Sequence, residues 1–454
     1  MQVFFSGWLL TAALAICSSA AAAQTLDAAL AMAYAGNPTL QAGRLGVGVL
    51  DESVAETVAA WRPVIGVSTG PLRTASHVSA GGQSLSTTLN SRQTVLQLNQ
   101  RLFDFGQTSN AVKAAEERVM AGRAQLLGNE QNILLTAAQA YMDVLQAEAV
   151  LALSRKNAEV LERQLAAAEA GFQRQLSTRT DLAQAQARRA NAQANLDVAR
   201  ESLDTARAVY ETVIGQPPGA LAFPARLPPL PASAEEAARR AQSEFPAVLA
   251  AERNVAAEQA SLDAIKAGLL PTITLQAQSS WASNSAVGID ESRDRRVGLQ
   301  LSMPLYAGGA QQARIRGSAL GVQQRQLELD ATRRETRRGV LASWNGLLAA
   351  RARVASFRAS VAANEVAYEG AQAEYQRIGS RTLLDVLNAE QELFTAQVSL
   401  AQARRDEVVA AFQVNAAIGG LTARKLDLPV NIHDPAPHLE RARSNWFGTQ
   451  AGME

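Results

Sequence analysis

The sequence has few of the residues that support covalent, redox or metal chemistry. Its 454 residues include one cysteine, Cys17, and three histidines. Cys17 lies in an N-terminal segment that we expect to be removed, which leaves no thiol for a disulfide or a metal site. His433 and His438 lie in a polar tail and His77 in a polar turn, a distribution that fits neither a catalytic triad nor a histidine metal site. No glycine-rich phosphate loop precedes a helix, so we predict no enzyme activity and no cofactor.

The chain is also poor in aromatic residues, in net charge and in long apolar runs. Aromatic residues make up 5% of the sequence, and 43 basic residues oppose 42 acidic ones, for a net charge of +1. An alanine-rich chain of this kind suits slender helix packing, and its balanced charge gives no reason to expect nucleic acid as a partner. After the first residues, no apolar run of about 18 to 20 residues occurs. Any membrane insertion must therefore use strands.

Residues 1–23 have the pattern of a secretory signal peptide. An apolar stretch, Leu9–Ile16, is followed by small residues that end at Ala23. Lipid attachment at Cys17 is the alternative to removal of this segment. We favour removal, because Ile16 stands where a lipoprotein signal has a small residue.

Proline is absent from two long stretches, 72–216 and 305–428. In the second stretch, Ala310–Tyr375 and Leu383–Ile418 are apolar-periodic and rich in residues that lose little rotamer freedom in a helix. Each stretch therefore predicts a long helical hairpin. The tips are expected at Leu176-Ser177 and at Gly379-Ser380, where glycine tolerates positive φ and serine can cap the next helix.

Four shorter segments alternate apolar and polar residues, as strands do. They are 64–69, 94–103, 273–277 and 297–303. We expect strands of about ten residues, joined by polar turns at 79–86 and at 288–294. This is the length that crosses a bilayer in a β-barrel. The alternative is a pair of amphipathic hairpins on a soluble domain.

The chain is doubled. Pro38 is matched by Pro246, and Ile214-Gly215 by Ile418-Gly419. We divide the chain into a signal peptide (1–23), a first repeat of helix, two barrel strands and long helical hairpin (24–216), a proline-rich linker (217–233), a second repeat (234–428) and a loosely held C-terminal tail (429–454).

Four strands cannot close a barrel by themselves. Open sheet edges cannot face hydrocarbon, because each unpaired backbone group there costs several kcal/mol. The smallest common barrels need about eight strands, so at least two copies of the chain are required, and three copies would supply twelve.

The segment from Gly379 to Glu390, GSRTLLDVLNAE, resembles TolC-type outer-membrane efflux and secretion channels. Asn37-Pro38, Trp61-Arg62-Pro63 and Phe103–Gly106 support this resemblance over nearly the whole mature chain. It implies a mixed α+β membrane protein, a homotrimer with one shared 12-stranded β-barrel and a long α-helical periplasmic barrel. The expected location is the cell outer membrane, in contact with its lipid. The expected partners are a periplasmic adaptor (membrane fusion protein) and an inner-membrane ABC or RND-type pump.

The resemblance also implies a gate at the periplasmic tip. Arg381 matches an arginine that latches the closed tip, and Thr180 and Asp181 match its partners. Asp385 matches the first of two aspartate rings at the constriction, where like charges raise the pKa and attract cations. Asn388 replaces the second aspartate, which should weaken cation binding.

Other positions of the family's tip differ here. Gln376 stands where a latch tyrosine is usual and Gln175 where a glycine is usual. The alternative function, a periplasmic adaptor with helical hairpins, predicts a single hairpin rather than two equal repeats. An envelope enzyme is disfavoured by the missing chemistry.

Overall fold

The structure, a computed structural model, describes residues 24–175, 177–377 and 381–449. The elements of the first repeat are α1 (Leu26–Gly36), α2 (Pro38–Val58), β1 (Val64–Ala80), β2 (Gln83–Phe103), α3 (Gln107–Gln173) and α4 (Arg179–Ile214). Those of the second are α5 (Ala234–Glu244), α6 (Pro246–Ala267), β3 (Thr272–Ala286), β4 (Ile289–Ser302), α7 (Ala310–Arg377) and α8 (Leu383–Ala417). One more helix, α9 (Ala436–Ser444), follows. The order helix, helix, strand, strand, helix, helix occurs twice, which confirms the tandem repeat.

The strands form one antiparallel sheet in the order β1-β2-β3-β4. They contain 17, 21, 15 and 14 residues, so the expected length of about ten was too short. The expected polar turn at 79–86 was also wrong. Gly81 and Gly82, with φ of 61° and 82°, make a two-residue turn, and its Ser- and Thr-rich flanks belong to the strands. Likewise, β4 already begins at Ile289, inside the other expected turn.

A tight corner connects β2 to α3. Phe105 and Gly106 have positive φ there, 51° and 95°. The buried carboxylate of Asp104 accepts hydrogen bonds from the Thr108 backbone N–H (2.9 Å) and from the Gly106 N–H (3.3 Å). Burial raises the pKa of Asp104, but the hydrogen bonds from Thr108 and the nearby Arg101 guanidinium outweigh it and lower the pKa overall. The Phe103–Gly106 motif is thus a structural corner.

The described chain forms two compact units, each drawing on both repeats. The hairpin unit contains the described residues up to Ala33, Thr136–Leu227 and Ala352–Val409. The sheet unit contains Tyr34–Leu135, Pro228–Arg351 and the described residues from Ala410 onward. No described helix has an apolar stretch long enough to span a bilayer.

In the hairpin unit, the buried Tyr141 fixes the ends of two segments. Its hydroxyl lies 2.6 Å from the carbonyl oxygens of Gln24 and Ala222, and it accepts a hydrogen bond from the Ala222 N–H at 3.0 Å. A parallel bridge between Gln24 and Leu221 lies beside it. Since backbone groups need partners when buried, this tyrosine ties the first described residues to the linker.

The sheet unit has small apolar clusters in place of one thick core. One joins Val54 to Ala115 and Val119, another joins Ala237, Ala238 and Ala241 to Val340 and Ile418, and a third joins Leu347 and Ala350 to Ala410, Ala411 and Val414. Most of these side chains are small. The alanine-rich composition therefore allows close helix packing, as expected from the sequence.

The C-terminal segment is held more firmly than the sequence indicated. The helix α9 contacts α2, with Leu439 packed against the Val54 cluster. Arg62 donates hydrogen bonds to the carbonyl oxygens of Arg443 (2.8 Å) and Asn445 (3.0 Å), and its guanidinium lies 4.8 Å from the Trp446 ring. The expectation of a loosely held tail was wrong, because hydrogen bonds and a cation–π contact replace the missing apolar anchors.

Candidate functional site

Near the strand ends that connect to the helices, the sheet has one apolar and one polar face. Alternate residues of a strand point to opposite faces, and the register sets which positions share a face. The apolar face contains Ile65 and Val67 of β1, Leu96 and Leu98 of β2, Ile273, Leu275 and Ala277 of β3, and Val297, Leu299 and Leu301 of β4. Val67, Val297 and Leu299 are 71%, 77% and 69% exposed. The face thus presents bare aliphatic side chains, as lipid-facing strands do.

The opposite face is lined by amides and other polar groups. Asn99 and Gln97 of β2 lie beside Gln276 and Gln278 of β3, and Gln278 lies beside Arg296 of β4. The Gln276 amide donates a hydrogen bond to the Gln300 side-chain oxygen. A sheet with one aliphatic and one amide-rich face suits a boundary between lipid and water.

The two outer strands have unused pairing edges. Within the described residues, β1 pairs only with β2, and β4 pairs only with β3. Each therefore offers a row of backbone N–H and C=O groups to another strand.

The hairpin unit contains the predicted gate residues. The helices α4 and α8 start with the same kind of cap. At the start of α4, Thr178 and Asp181 form a capping box, in which the Asp181 carboxylate accepts from the Thr178 N–H (2.9 Å) and hydroxyl (2.7 Å). At the start of α8, Asp385 accepts from the Thr382 N–H (2.9 Å) and hydroxyl (2.8 Å). Hydrogen bonds from the threonine lower the pKa of both carboxyls.

The first turns of α8 are buried on one side and open on the other. Leu383 and Leu387 pack in a cluster with Leu161, Ala168, Ala185 and Ala192 of α3 and α4. Asn388, on the exposed side, accepts a hydrogen bond from Arg188 of α4 at 2.8 Å. The gate positions Asp385 and Asn388 therefore sit on a helix that is fixed through its opposite face.

The latch residues do not meet in the described chain. Arg381 forms an ion pair with Glu374 at 2.9 Å, and no ion pair joins it to Asp181 among the described residues. The Asp181 oxygen that caps α4 is Oδ2, which leaves Oδ1 without a hydrogen bond in that part of the chain. The latch thus stays a prediction.

Only one of the four predicted tip residues can be placed. Leu176, Gly379 and Ser380 lie outside the described residues. Ser177 lies against Gly171, where a Cβ would collide with the serine hydroxyl. A larger residue at position 171 would therefore require the Ser177 hydroxyl to rotate away.

A buried carboxylate that the sequence reasoning missed lies further along α8. Glu390 is 6% exposed, and its Oε2 has no hydrogen-bond partner. Burial raises its pKa to about 7, against the opposing effect of Arg163 and Lys156. Tyr368 of α7 also faces it. Glu390 follows Leu383 and Leu387 at helical spacing, so a charge within the apolar stripe was the available signal.

Within the described residues, no group of three His, Cys, Asp or Glu side chains is placed to hold a metal ion.

Comparison with known proteins agrees with this geometry. The family model described as outer membrane efflux protein matches residues 21–216 and 237–420. The chain is 38% identical over 448 residues to outer membrane efflux protein BepC of Brucella suis, covering 98% of this chain and 95% of that protein. It is 28% identical to proteases secretion protein PrtF of Dickeya chrysanthemi, covering 87% and 88%. The CmeC outer membrane channel of Campylobacter jejuni shares the fold, with a TM-score of 0.78 at 15% identity over 92% of this chain and 89% of that chain.

Proposed function

Because the chain belongs to the outer membrane efflux protein family, we propose that it forms the exit duct of a tripartite efflux or type I secretion system. It is an outer-membrane channel with a periplasmic extension, and it conducts its cargo passively. Energy comes from an inner-membrane pump.

The two-faced sheet with two free edges carries this proposal. The aliphatic face fits lipid, the amide-rich face fits a water-filled pore, and the free edges of β1 and β4 need strands from other copies. Three copies supply twelve strands and close the barrel, so the functional unit is a homotrimer.

A periplasmic adaptor and an ABC or RND-type pump complete the system. The relatives named above include an efflux protein and a protease secretion protein. Similar chains are therefore found in both efflux and protein secretion. The adaptor alternative is not favoured, since it predicts a single helical hairpin and the chain has two.

In the closed channel, Asp385 and Asn388 line the constriction, and Arg381 leaves Glu374 to bind Thr180 and Asp181. The free Oδ1 of Asp181 supports this latch, because it can accept the guanidinium without disturbing the cap made through Oδ2. Opening then requires three symmetry-related latches to break together.

The central experiment measures conductance and subunit number on the detergent-extracted protein. We expect a trimer that conducts ions in a planar bilayer. A monomer without conductance would refute the proposal.

The latch has its own test. R381S should raise conductance and antibiotic passage, whereas R200Q, which removes an exposed arginine of α4 that pairs with Asp197, should leave both unchanged. Equal conductance of R381S and the parent channel would reject the latch but not the duct.

A further inference from the structure

A cavity of about 450 Å³ lies in the sheet unit, away from the sheet faces used above. It is bounded by the α1–α2 junction, by α3, by the α5–α6 junction and by the segment after α8. Its apolar wall includes Leu40, Leu126, Leu127, Pro246, Leu249 and Ile432. Small-molecule sites typically have such a volume, an apolar wall and a few polar groups.

Two buried donors at this cavity have no acceptor. Gln131 is 3% exposed, and its Nε2 has no hydrogen-bond partner. The Nε of Arg123, two turns earlier on α3, is also buried without a partner, although its Nη2 donates to Pro435 O at 3.2 Å and pairs with the Asp51 carboxylate at 3.4 Å. Buried donors are normally satisfied. Both of these residues line the cavity, so a ligand with acceptor oxygens would supply what the chain lacks.

The lining has more basic than acidic residues, with Arg44, Arg123, Arg424 and Lys425 against Glu130 and Glu244. Arg44 and Arg424 line the cavity, and neither forms an ion pair within the described part of the chain. Glu130 is already engaged, since its carboxylate accepts from the Ala423 N–H at 2.6 Å. Glu244 is paired with Lys425. Both arginines act electrostatically on Glu130, and Arg44 also lies 4.7 Å from the Tyr34 ring, but each guanidinium keeps donors that an anion could use.

We propose that this cavity binds a single-chain amphiphile with a carboxylate head group. The aliphatic chain lies against the leucines, and the carboxylate accepts from Gln131, Arg123 and the arginines Arg44 and Arg424. A carboxylate fits because it is an acceptor only and carries the opposite charge. A cationic head would meet two arginines, and a neutral alcohol would leave them unpaired.

The test uses the full mature protein in nanodiscs of zwitterionic lipid. Equilibrium dialysis of radiolabelled decanoate, with empty nanodiscs subtracted, should show saturable binding of one molecule per chain. Decanol and decyltrimethylammonium should bind at least roughly tenfold more weakly, because they lose the charge-assisted hydrogen bonds. Absence of saturable binding, or equal binding of the three amphiphiles, would overturn the proposal.

Matched variants locate the site. R424Q should weaken decanoate binding roughly tenfold, while R441Q, an exposed arginine of α9 outside the cavity lining, should leave binding unchanged. Equal effects of the two variants would place decanoate elsewhere and refute the assignment.

Q131L separates recognition from structure. It should weaken decanoate binding and at the same time raise the melting temperature of the ligand-free protein, because it removes an unpaired buried amide. A merely structural role of Gln131 predicts a lower melting temperature and unchanged binding. Should Q131L fail to fold, the exposed R424Q substitution decides the question.

Discussion

The two long helices of the chain are nearly equal in length but differ in burial. The helix α3 has 67 residues and α7 has 68. Buried side chains occur along most of α3 from Thr108 to Ala168, whereas those of α7 are Val322, Thr336, Val340, Leu347, Ala350 and Val354. Leu320, Leu327 and Val366 of α7 are 65%, 67% and 72% exposed.

The two helices therefore contribute differently to the single chain. The helix α3 supplies buried side chains along most of its length, and α7 leaves apolar side chains on the surface. Exposed apolar residues in such number mark an interaction surface. In the proposed homotrimer, the exposed apolar side chains of α7 pack against other copies of the chain, whereas the buried side chains of α3 pack within their own chain.

The largest expected effect comes from the same substitution on the two helices. L134A removes a fully buried side chain of α3 and should cost about 2 to 5 kcal/mol of unfolding free energy. L327A on α7 should change the stability of the single chain by less than about 0.5 kcal/mol and weaken association instead. Denaturant unfolding and sedimentation measure the two quantities. Equal losses of chain stability would contradict the comparison.

The next effect concerns Glu390, which lies five residues after the capping aspartate Asp385 of α8. The equivalent position in α4, five residues after Asp181, is the exposed Gln186. Its folded pKa of about 7 lies above its ordinary value of 4.5, so ionisation opposes folding. Stability should fall as pH rises from about 4.5 to 7 and stay constant above that range.

E390Q should remove this pH dependence and stabilise the chain at pH 8 by about 3 kcal/mol. The matched control Q186E places a carboxylate in solvent and should add no such slope. Melting temperatures between pH 5 and 8 provide the measurement. A parent protein as stable at pH 8 as at pH 5 would show that Glu390 is not desolvated.

A smaller effect separates the two caps. T178A and T382A should each cost about 1 kcal/mol, since each removes one N-cap. T382A should also raise the pKa of Asp385, because that group loses the hydrogen bond from the Thr382 hydroxyl and keeps only the one from the backbone N–H. The Asp385 carboxylate favours folding above its unfolded pKa, and this contribution is lost as pH falls.

The pH dependence of cation block in single channels measures this change in the pKa of Asp385. The pH at which protonation relieves block should move upward in T382A and stay unchanged in T178A. An identical shift in both variants would mean that Asp385 is not at the constriction.

The smallest effect is expected at Asn388. N388D adds a carboxylate beside Arg188, which lies 2.8 Å from the present amide oxygen and would offset part of the new charge. Divalent cation block should therefore strengthen a few-fold in N388D and more in N388D with R188Q. If neither variant altered block, residue 388 would not line the pore.

Much of the fold was predictable because its periodicities are strong. Segments 310–375 and 383–418 were predicted as helices, and the structure has Ala310–Arg377 and Leu383–Ala417. Strand lengths were missed because the Ser- and Thr-rich flanks of Gly81-Gly82 lack apolar alternation and resemble a loop. The helix α9 was missed because its anchor, Arg62, lies far away in sequence.

The site was only partly predictable. Thr382 and Asp385 have the spacing of a capping box, so their local contact could be read directly. The burial of Glu390 depends on which side of α8 faces α3, and this requires the packed structure. The pairing of Arg381 with Glu374 reflects a single chain, whereas the predicted latch concerns the closed assembly.

The two-residue glycine turn between β1 and β2 allows both strands to stay paired to the end of the hairpin. At about 3.3 Å per residue, the 21 residues of β2 extend roughly 70 Å, about twice what a barrel strand needs to cross the hydrocarbon. In the proposed channel, the distal half of this hairpin stands above the membrane surface as a paired ribbon that ends in a two-residue turn. Antibodies would meet a stiff projection there, and externally added proteases would find little unpaired backbone to cut.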